Sequence, residues 1–212
     1  MALDLATVPG VGAMDTTHLV ALAAALGWAS GLRLYAVVLI TGLVGYADWV
    51  QLPPGLALLE HPLVLGAAGI MAVMEFLADK VPWVDSVWDS VHTLIRIPAG
   101  ALLAAGVFGG IDAPAWQMVA ALMGGTLAAT AHVAKATTRA AVNTSPEPFS
   151  NWGLSLLDDL AVPAMLWLAW AHPVVFFVVL AVVLVAMVAL IVMLFKVVKR
   201  VFAGWRARWA MS

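Results

Sequence analysis

The sequence predicts an all-α, polytopic membrane protein with six transmembrane helices, and three observations carry that prediction. Apolar residues make up 64% of the 212-residue chain and charged residues only 10%, against about 45–50% and about 25% in ordinary soluble domains. The apolar residues gather in six runs, most of them close to the roughly 20 residues that a helix needs to cross a bilayer. Ten Trp stand against two Tyr, and Trp49, Trp83, Trp88, Trp116 and Trp152 fall near the ends of the runs, where indole rings anchor at the headgroups. The chain has no Cys, which excludes disulfides and thiolate metal sites. No phosphate-cradling loop or nucleic-acid motif is present, so the expected partners are the lipid bilayer and a small charged solute or ion, with no nucleic acid.

Residues 1–17 carry Asp4 and Asp15 but no Lys or Arg. They lack the basic region of a signal peptide and are expected to stay as an N-terminal cytoplasmic segment. The six-helix transmembrane domain then occupies 18–195. Its first span is 18–46, with Gly27, Ser30 and Gly31 beside a central Arg33. Small residues there predict close helix packing or a local break, or a packing face from which Arg33 reaches the interface. Pro53, Pro54 and Gly55 make 48–61 a loop. The second span, 62–78, has Glu75 and Asp79 at i and i+4 near its end, closed by Lys80 and Pro82.

The third span starts in the stretch 85–98 and runs to about 108; Gly109, Gly110 and Pro114 turn the chain into the fourth, 115–141. Pro146 and Pro148 stiffen the next loop, and the fifth span, 152–171, carries Asp158 and Asp159 before Pro163. The sixth, 174–195, has no polar group before Lys196 and reads as a lipid-facing scaffold. Residues 196–212 form a basic amphipathic tail with five Lys or Arg, suited to an anionic membrane surface.

Two helix faces carry the chemistry. Asp85, Asp89, His92 and Arg96 recur at i, i+4, i+7 and i+11, which confines them to a stripe about 60° wide at 100° per residue. His132, Lys135, Arg139 and Asn143 make a comparably narrow second stripe. Six crossings bring the ends of spans two and four and the starts of three and five to one side. Glu75, Asp79, Asp158 and Asp159 should therefore join both stripes in one cytoplasmic-half cluster. The loops at 47–61, 110–114 and 172 contain no Lys or Arg, and the positive-inside rule then places both termini in the cytoplasm. Arg96 is expected to pair with Asp158 or Asp159, whose depths should match its own.

An inverted three-plus-three repeat is one reading of the likeness between 27–35 and 125–133; a parallel match of 97–101 with 162–166 is the other.

Gly31-Leu-Arg-Leu-Tyr35, Ala78-Asp-Lys-Val-Pro82 followed by Asp85, Trp88-Asp89, His92-Thr93, Arg96 and Pro98-Ala-Gly100 are combined with a second set further along the chain. That set is His132-Val-Ala-Lys135, Arg139, the loop from Asn143 to Asn151, and Asp158-Asp159. Over roughly 18–172, this combination resembles an uncharacterised bacterial family of multi-spanning proteins, a domain of unknown function. The resemblance implies a bacterial inner-membrane protein and supplies no activity.

Ionisable groups at membrane depth are costly and usually face a bundle interior or cavity. The cluster, with Arg33, is thus the candidate site of a small transporter or channel for an ion or small charged solute. A metal cation is the one candidate cofactor, held by Asp85, Asp89 and His92 with Asp158 or Asp159. Arg96, His132, Lys135 and Arg139 equally suit an anion or lipid phosphate. A structural network in a membrane scaffold and a lipid translocator or intramembrane enzyme are the alternatives. No HExxH or GxSxG is present to support catalysis. A homo-oligomer is compatible with all of these.

Overall fold

The structure is a computed structural model, and it describes residues 14–110, 114–142 and 149–209. Its regular elements are all helices: α1 (Thr16–Tyr46), a 3-10 helix (Pro54–Glu60), α2 (Pro62–Ala78), α3 (Pro82–Val107), α4 (Pro114–Val142), α5 (Phe149–Ala171) and α6 (Pro173–Trp209). Five helices are long and apolar enough to span a membrane, and a sixth results if the 3-10 helix and α2, bent by 69°, count as one span. The all-α polytopic reading therefore holds.

The starts follow from local chemistry. Pro62, Pro82, Pro114 and Pro173 each open a helix, where a missing N–H costs nothing and the fixed φ already suits the helix. Asp15 caps α1 by accepting the His18 backbone N–H at 2.9 Å, and that bond holds its carboxyl below the usual value. α6 continues without interruption through the basic segment to Trp209, so the sixth span and the start of the tail are one helix.

α1 is the core of the bundle. Leu19 and every residue from Ala21 to Leu34 are buried, as expected of a helix that is apolar or small on all sides. It packs against α2, α3, α4, α5 and α6, whereas α6 turns most of its surface outward, as its unbroken Val, Leu and Met composition predicts. The α1–α4 contact is made by small residues. A Cβ on Gly27 would overlap the backbone of Gly124, and one on Gly31 would overlap that of Ala128. Gly100 of α3 completes the seam, where a Cβ would come 2.7 Å from Ala128 Cβ.

Gly124→Leu is expected to cost at least about 3 kcal/mol, the upper part of the overpacking range, because backbone rather than a flexible side chain must yield. Equilibrium unfolding in mild detergent reads this, and unchanged stability would show that the helices part freely here.

α1 also contains the break that its glycines and Ser30 suggested. Arg33 has φ −145° and ψ 76°, outside the helical region, while the backbone on either side is helical. Arg33 is 2% exposed, so it points into the protein and not to the interface.

Candidate functional site: a charge cluster at the helix break

The ends of α2 and α4, the starts of α3 and α5 and the break in α1 meet in one buried cluster, as the alternation of crossings predicted for the four helix ends. Its centre is Asp79, the fully buried C-cap residue of α2. Asp79 Oδ2 lies 2.9 Å from Arg33 Nη2, 3.1 Å from Lys135 Nζ and 3.7 Å from Arg139 Nη2. The Asp79 carbonyl accepts from Arg139 Nη1 at 3.2 Å and from Asn151 Nδ2 at 3.3 Å.

Arg33 bridges onward to α5, with Nη2 2.7 Å from Asp159 Oδ1 and 3.1 Å from Ser155 Oγ. Lys80 reaches the same place, donating to Ser155 Oγ and lying 3.4 Å from Asp159 Oδ2. Lys135 donates to the Leu32 carbonyl at 3.1 Å, satisfying one of the acceptors that the break in α1 exposes. Arg139 donates to the Asn151 side chain and approaches Asp158 Oδ2 at 3.8 Å.

Arg96 holds the α3 side. Its Nη2 lies 2.8 Å from Glu75 Oε1 and its Nη1 2.6 Å from Asp89 Oδ1. The expected pairing with Asp158 or Asp159 is therefore corrected. α1 packs against both α3 and α5 and supplies Arg33 to Asp159, so Arg96 turns to α2 and to its own helix. Arg96→Ala is expected to cost about 3–5 kcal/mol, since it strands two buried carboxylates. A double-mutant cycle should give coupling of about 1–3 kcal/mol with Glu75→Ala or Asp89→Ala and none with Asp159→Ala.

The two imidazoles are positioned by hydrogen bonds that define their tautomers. Arg96 Nη1 can only donate, so His132 Nδ1 accepts at 3.3 Å. Its Nε2–H then donates to Thr93 Oγ1 at 2.7 Å, whose own proton goes to the Asp89 carbonyl at 2.9 Å. His92 Nδ1–H donates to the Trp88 carbonyl at 2.8 Å, which leaves Nε2 to accept from Tyr35 Oη at 3.1 Å. Its ring stacks on Trp88 at 4.2 Å.

Of the residues proposed from sequence, the structure gathers Arg33, Glu75, Asp79, Asp85, Asp89, Arg96, His132, Lys135, Arg139, Asp158 and Asp159 into contact. His92 sits at the edge, bonded to Tyr35; Asn143 lies outside the described residues. Asn151, Ser155, Tyr35 and Thr93 were missed; Lys80, which closes the second span, joins the cluster through Ser155 and Asp159. Asn151, Ser155 and Asp158 fall at i, i+4 and i+7 on α5, the same periodic signal that exposed the other two stripes.

The charges do not balance fully. Six carboxylates (Glu75, Asp79, Asp85, Asp89, Asp158, Asp159) meet five bases (Arg33, Lys80, Arg96, Lys135, Arg139). Asp85 is fully buried, yet neither of its oxygens accepts a hydrogen bond, and its nearest cation is Arg139 Nε at 3.9 Å. Asp89 Oδ2 is likewise without a donor. One carboxylate oxygen from each of Asp79, Asp85 and Asp89 lies within 4.8 Å of the others. Beside the cluster, a cavity of about 240 Å³ opens between α4, α5 and α6, lined by Leu32, Lys135, Arg139, Leu154, Asp158 and Met187 among others.

No curated protein and no solved structure matches the chain. A family model matches residues 20–193, which include every charged residue of the cluster, and the chain belongs to that family, described as Domain of unknown function (DUF4126).

Proposed function

We propose that the chain is a small transporter of a bacterial inner membrane that moves a monovalent cation, with its cluster toward the cytoplasmic side. Asp85 carries this reading: a buried carboxylate without a hydrogen-bond donor is costly unless a cation or proton shares its site. One positive charge beside Asp79, Asp85 and Asp89 would neutralise the single negative charge in excess. A divalent ion would leave the cluster positive next to Arg139 and Lys135. His92, bonded through both ring nitrogens, would position Tyr35 and the start of α3 rather than ligate the ion. The cavity between α4, α5 and α6 would be the route from the membrane interior side of the bundle to the cluster, with Lys135, Arg139 and Asp158 at its polar end.

Proteoliposomes loaded with sodium, potassium or proton indicators test the proposal. Flux of one of these cations well above protein-free vesicles is the expected result. Folded protein, inserted in both orientations, that passes none of them would overturn it. The competing scaffold reading draws support from Arg33, Arg96 and Lys135, each shared between two carboxylates. It requires that the cluster contribute to stability alone.

A further inference from the structure

We infer that α1 is a re-entrant element: it enters the membrane, turns at Arg33 inside the charge cluster and leaves on the face where it entered. The contacts along its two halves establish the turn, and the inference does not depend on the transport reading.

α3 and α4 serve as rulers. They are antiparallel, since Asp85 faces Arg139, Arg96 faces His132 and Gly100 meets Ala128 and Gly124. In the first half of α1, Gly27 lies on Gly124 and beside Gly100, and Gly31 lies on Ala128 and Ala131. The Leu32 carbonyl then receives Lys135. This half descends with α4, from the level of Gly100 toward the charged end of the bundle.

Beyond Arg33 the order reverses. Tyr35 touches His92, but Gly42 packs against Leu59 and Leu65, and Gly45 against Leu52 and Glu60. Those residues belong to the 3-10 helix and its flanks, and Gly55 of that helix sits on Gly106 and Gly109 at the far end of α3. Between Tyr35 and Gly45 the chain therefore climbs back from the level of His92 toward the far end of α3, a rise of about 15 Å over ten helical residues. α2 descends beside it, with Leu65 at Gly42, Gly69 nearest Leu39, and Asp79 at Arg33.

Two physical requirements are met by this course. Non-helical backbone at membrane depth is tolerated only where it is buried in protein or lines a cavity, and Arg33 is buried within five packed helices. The Leu32 carbonyl at the end of the first half accepts from Lys135, and the Arg33 side chain at the turn is held by Asp79 and Asp159.

The topology changes as a consequence. With α1 re-entrant, the 3-10 helix with α2 as one span and α3 to α6 supply five crossings, and Thr16 lies on the face opposite the end of α6. Charge along the chain agrees: residues 1–17, 47–61, 108–116 and 171–173 contain no Lys or Arg, whereas Lys80 and the basic segment from Lys196 lie on the other side. The expectation that both termini are cytoplasmic rested on six crossings. The positive-inside rule applied to five places only the C-terminal side in the cytoplasm. The segments 27–35 and 125–133 also run side by side in the same direction, which is not the relation an inverted repeat gives them.

Because the native chain lacks Cys, single thiols can be introduced without background. In Thr17→Cys, Ala47→Cys and Lys199→Cys, expressed separately as the full chain in bacterial spheroplasts, a membrane-impermeant maleimide should label the first two directly. Lys199→Cys should label only after permeabilisation. Thr17→Cys and Lys199→Cys sharing one face, with Ala47→Cys on the other, would overturn the inference. Should the thiol near Thr17 react slowly even in detergent, protease digestion of an N-terminal epitope tag from outside decides the same question: digestion supports re-entrance, and protection until permeabilisation refutes it.

Discussion

Asp79→Ala is expected to leave almost no folded protein. One carboxylate stands at hydrogen-bond distance from Arg33 and Lys135 and within ion-pair reach of Arg139, so its removal takes the central partner from three buried cations at once and leaves Lys135 and Arg139 only carboxylate contacts of 3.8–3.9 Å. Breaking one buried pair typically costs about 3–5 kcal/mol, and whole domains are stable by only about 5–15 kcal/mol. Here the loss also reaches the helix break, because Arg33 would keep only Asp159 as its acidic partner. Detergent-solubilised yield and a thermal melt measure this. Asp79→Ala combined with Lys135→Met should recover part of the loss by removing a buried cation left with only the 3.8 Å carboxylate contact to Asp89. A melt within about 1 kcal/mol of the parent for Asp79→Ala alone would mean that water reaches the cluster freely enough to solvate all three bases.

Asp85→Asn is expected to abolish cation flux and leave stability unchanged or raised. The carboxylate accepts no hydrogen bond, and removing its charge brings six acids down to five against five bases. An amide of nearly the same shape supplies donors to a neighbourhood rich in carboxylate oxygen, Asp89 Oδ2 among them. Losing a buried, poorly paired charge therefore costs about 1 kcal/mol at most and can be favourable. Flux per folded molecule should fall to that of empty vesicles, a loss of 100-fold or more. Retained flux in Asp85→Asn would remove the central support for cation transport. Lost stability together with unaltered flux per folded molecule would favour the scaffold reading.

Much of the architecture was legible in the chain because lipid leaves few options. Long apolar runs and the proline- and glycine-marked turns between them located the helices to within a few residues at most ends. The i, i+4, i+7, i+11 stripe on α3 identified the face that turns inward, and the polar groups on α4 followed the same rule. Three features escaped. Asp79 lies at a helix end just before Lys80 and Pro82, a context that reads as a stop and gives no sign of being a hub. The partner of Arg96 depends on which helix lies between α3 and α5, and neither periodicity nor depth reports lateral order. The turn at Arg33 is written in glycines and a serine, residues that signal close approach of another helix as readily as a break; only the order of contacts along α1 separates the two.

The glycine seam has a mechanical consequence. Where backbones touch without intervening side chains, helices cannot slide or rotate without collision, so the first half of α1, α3 and α4 form a single stiff body at the level of Gly27, Gly100 and Gly124. Beside the charge cluster, by contrast, a cavity lined mainly by Leu, Ala, Val and Met separates parts of α5 and α6 from α4. Under the proposed transport, α5 and α6 would move against this body as it stands, because the seam cannot open without backbone shifts. The ties that such a motion would have to break run from α5 to Arg33, Lys80 and Arg139, through Asp159, Ser155 and Asn151.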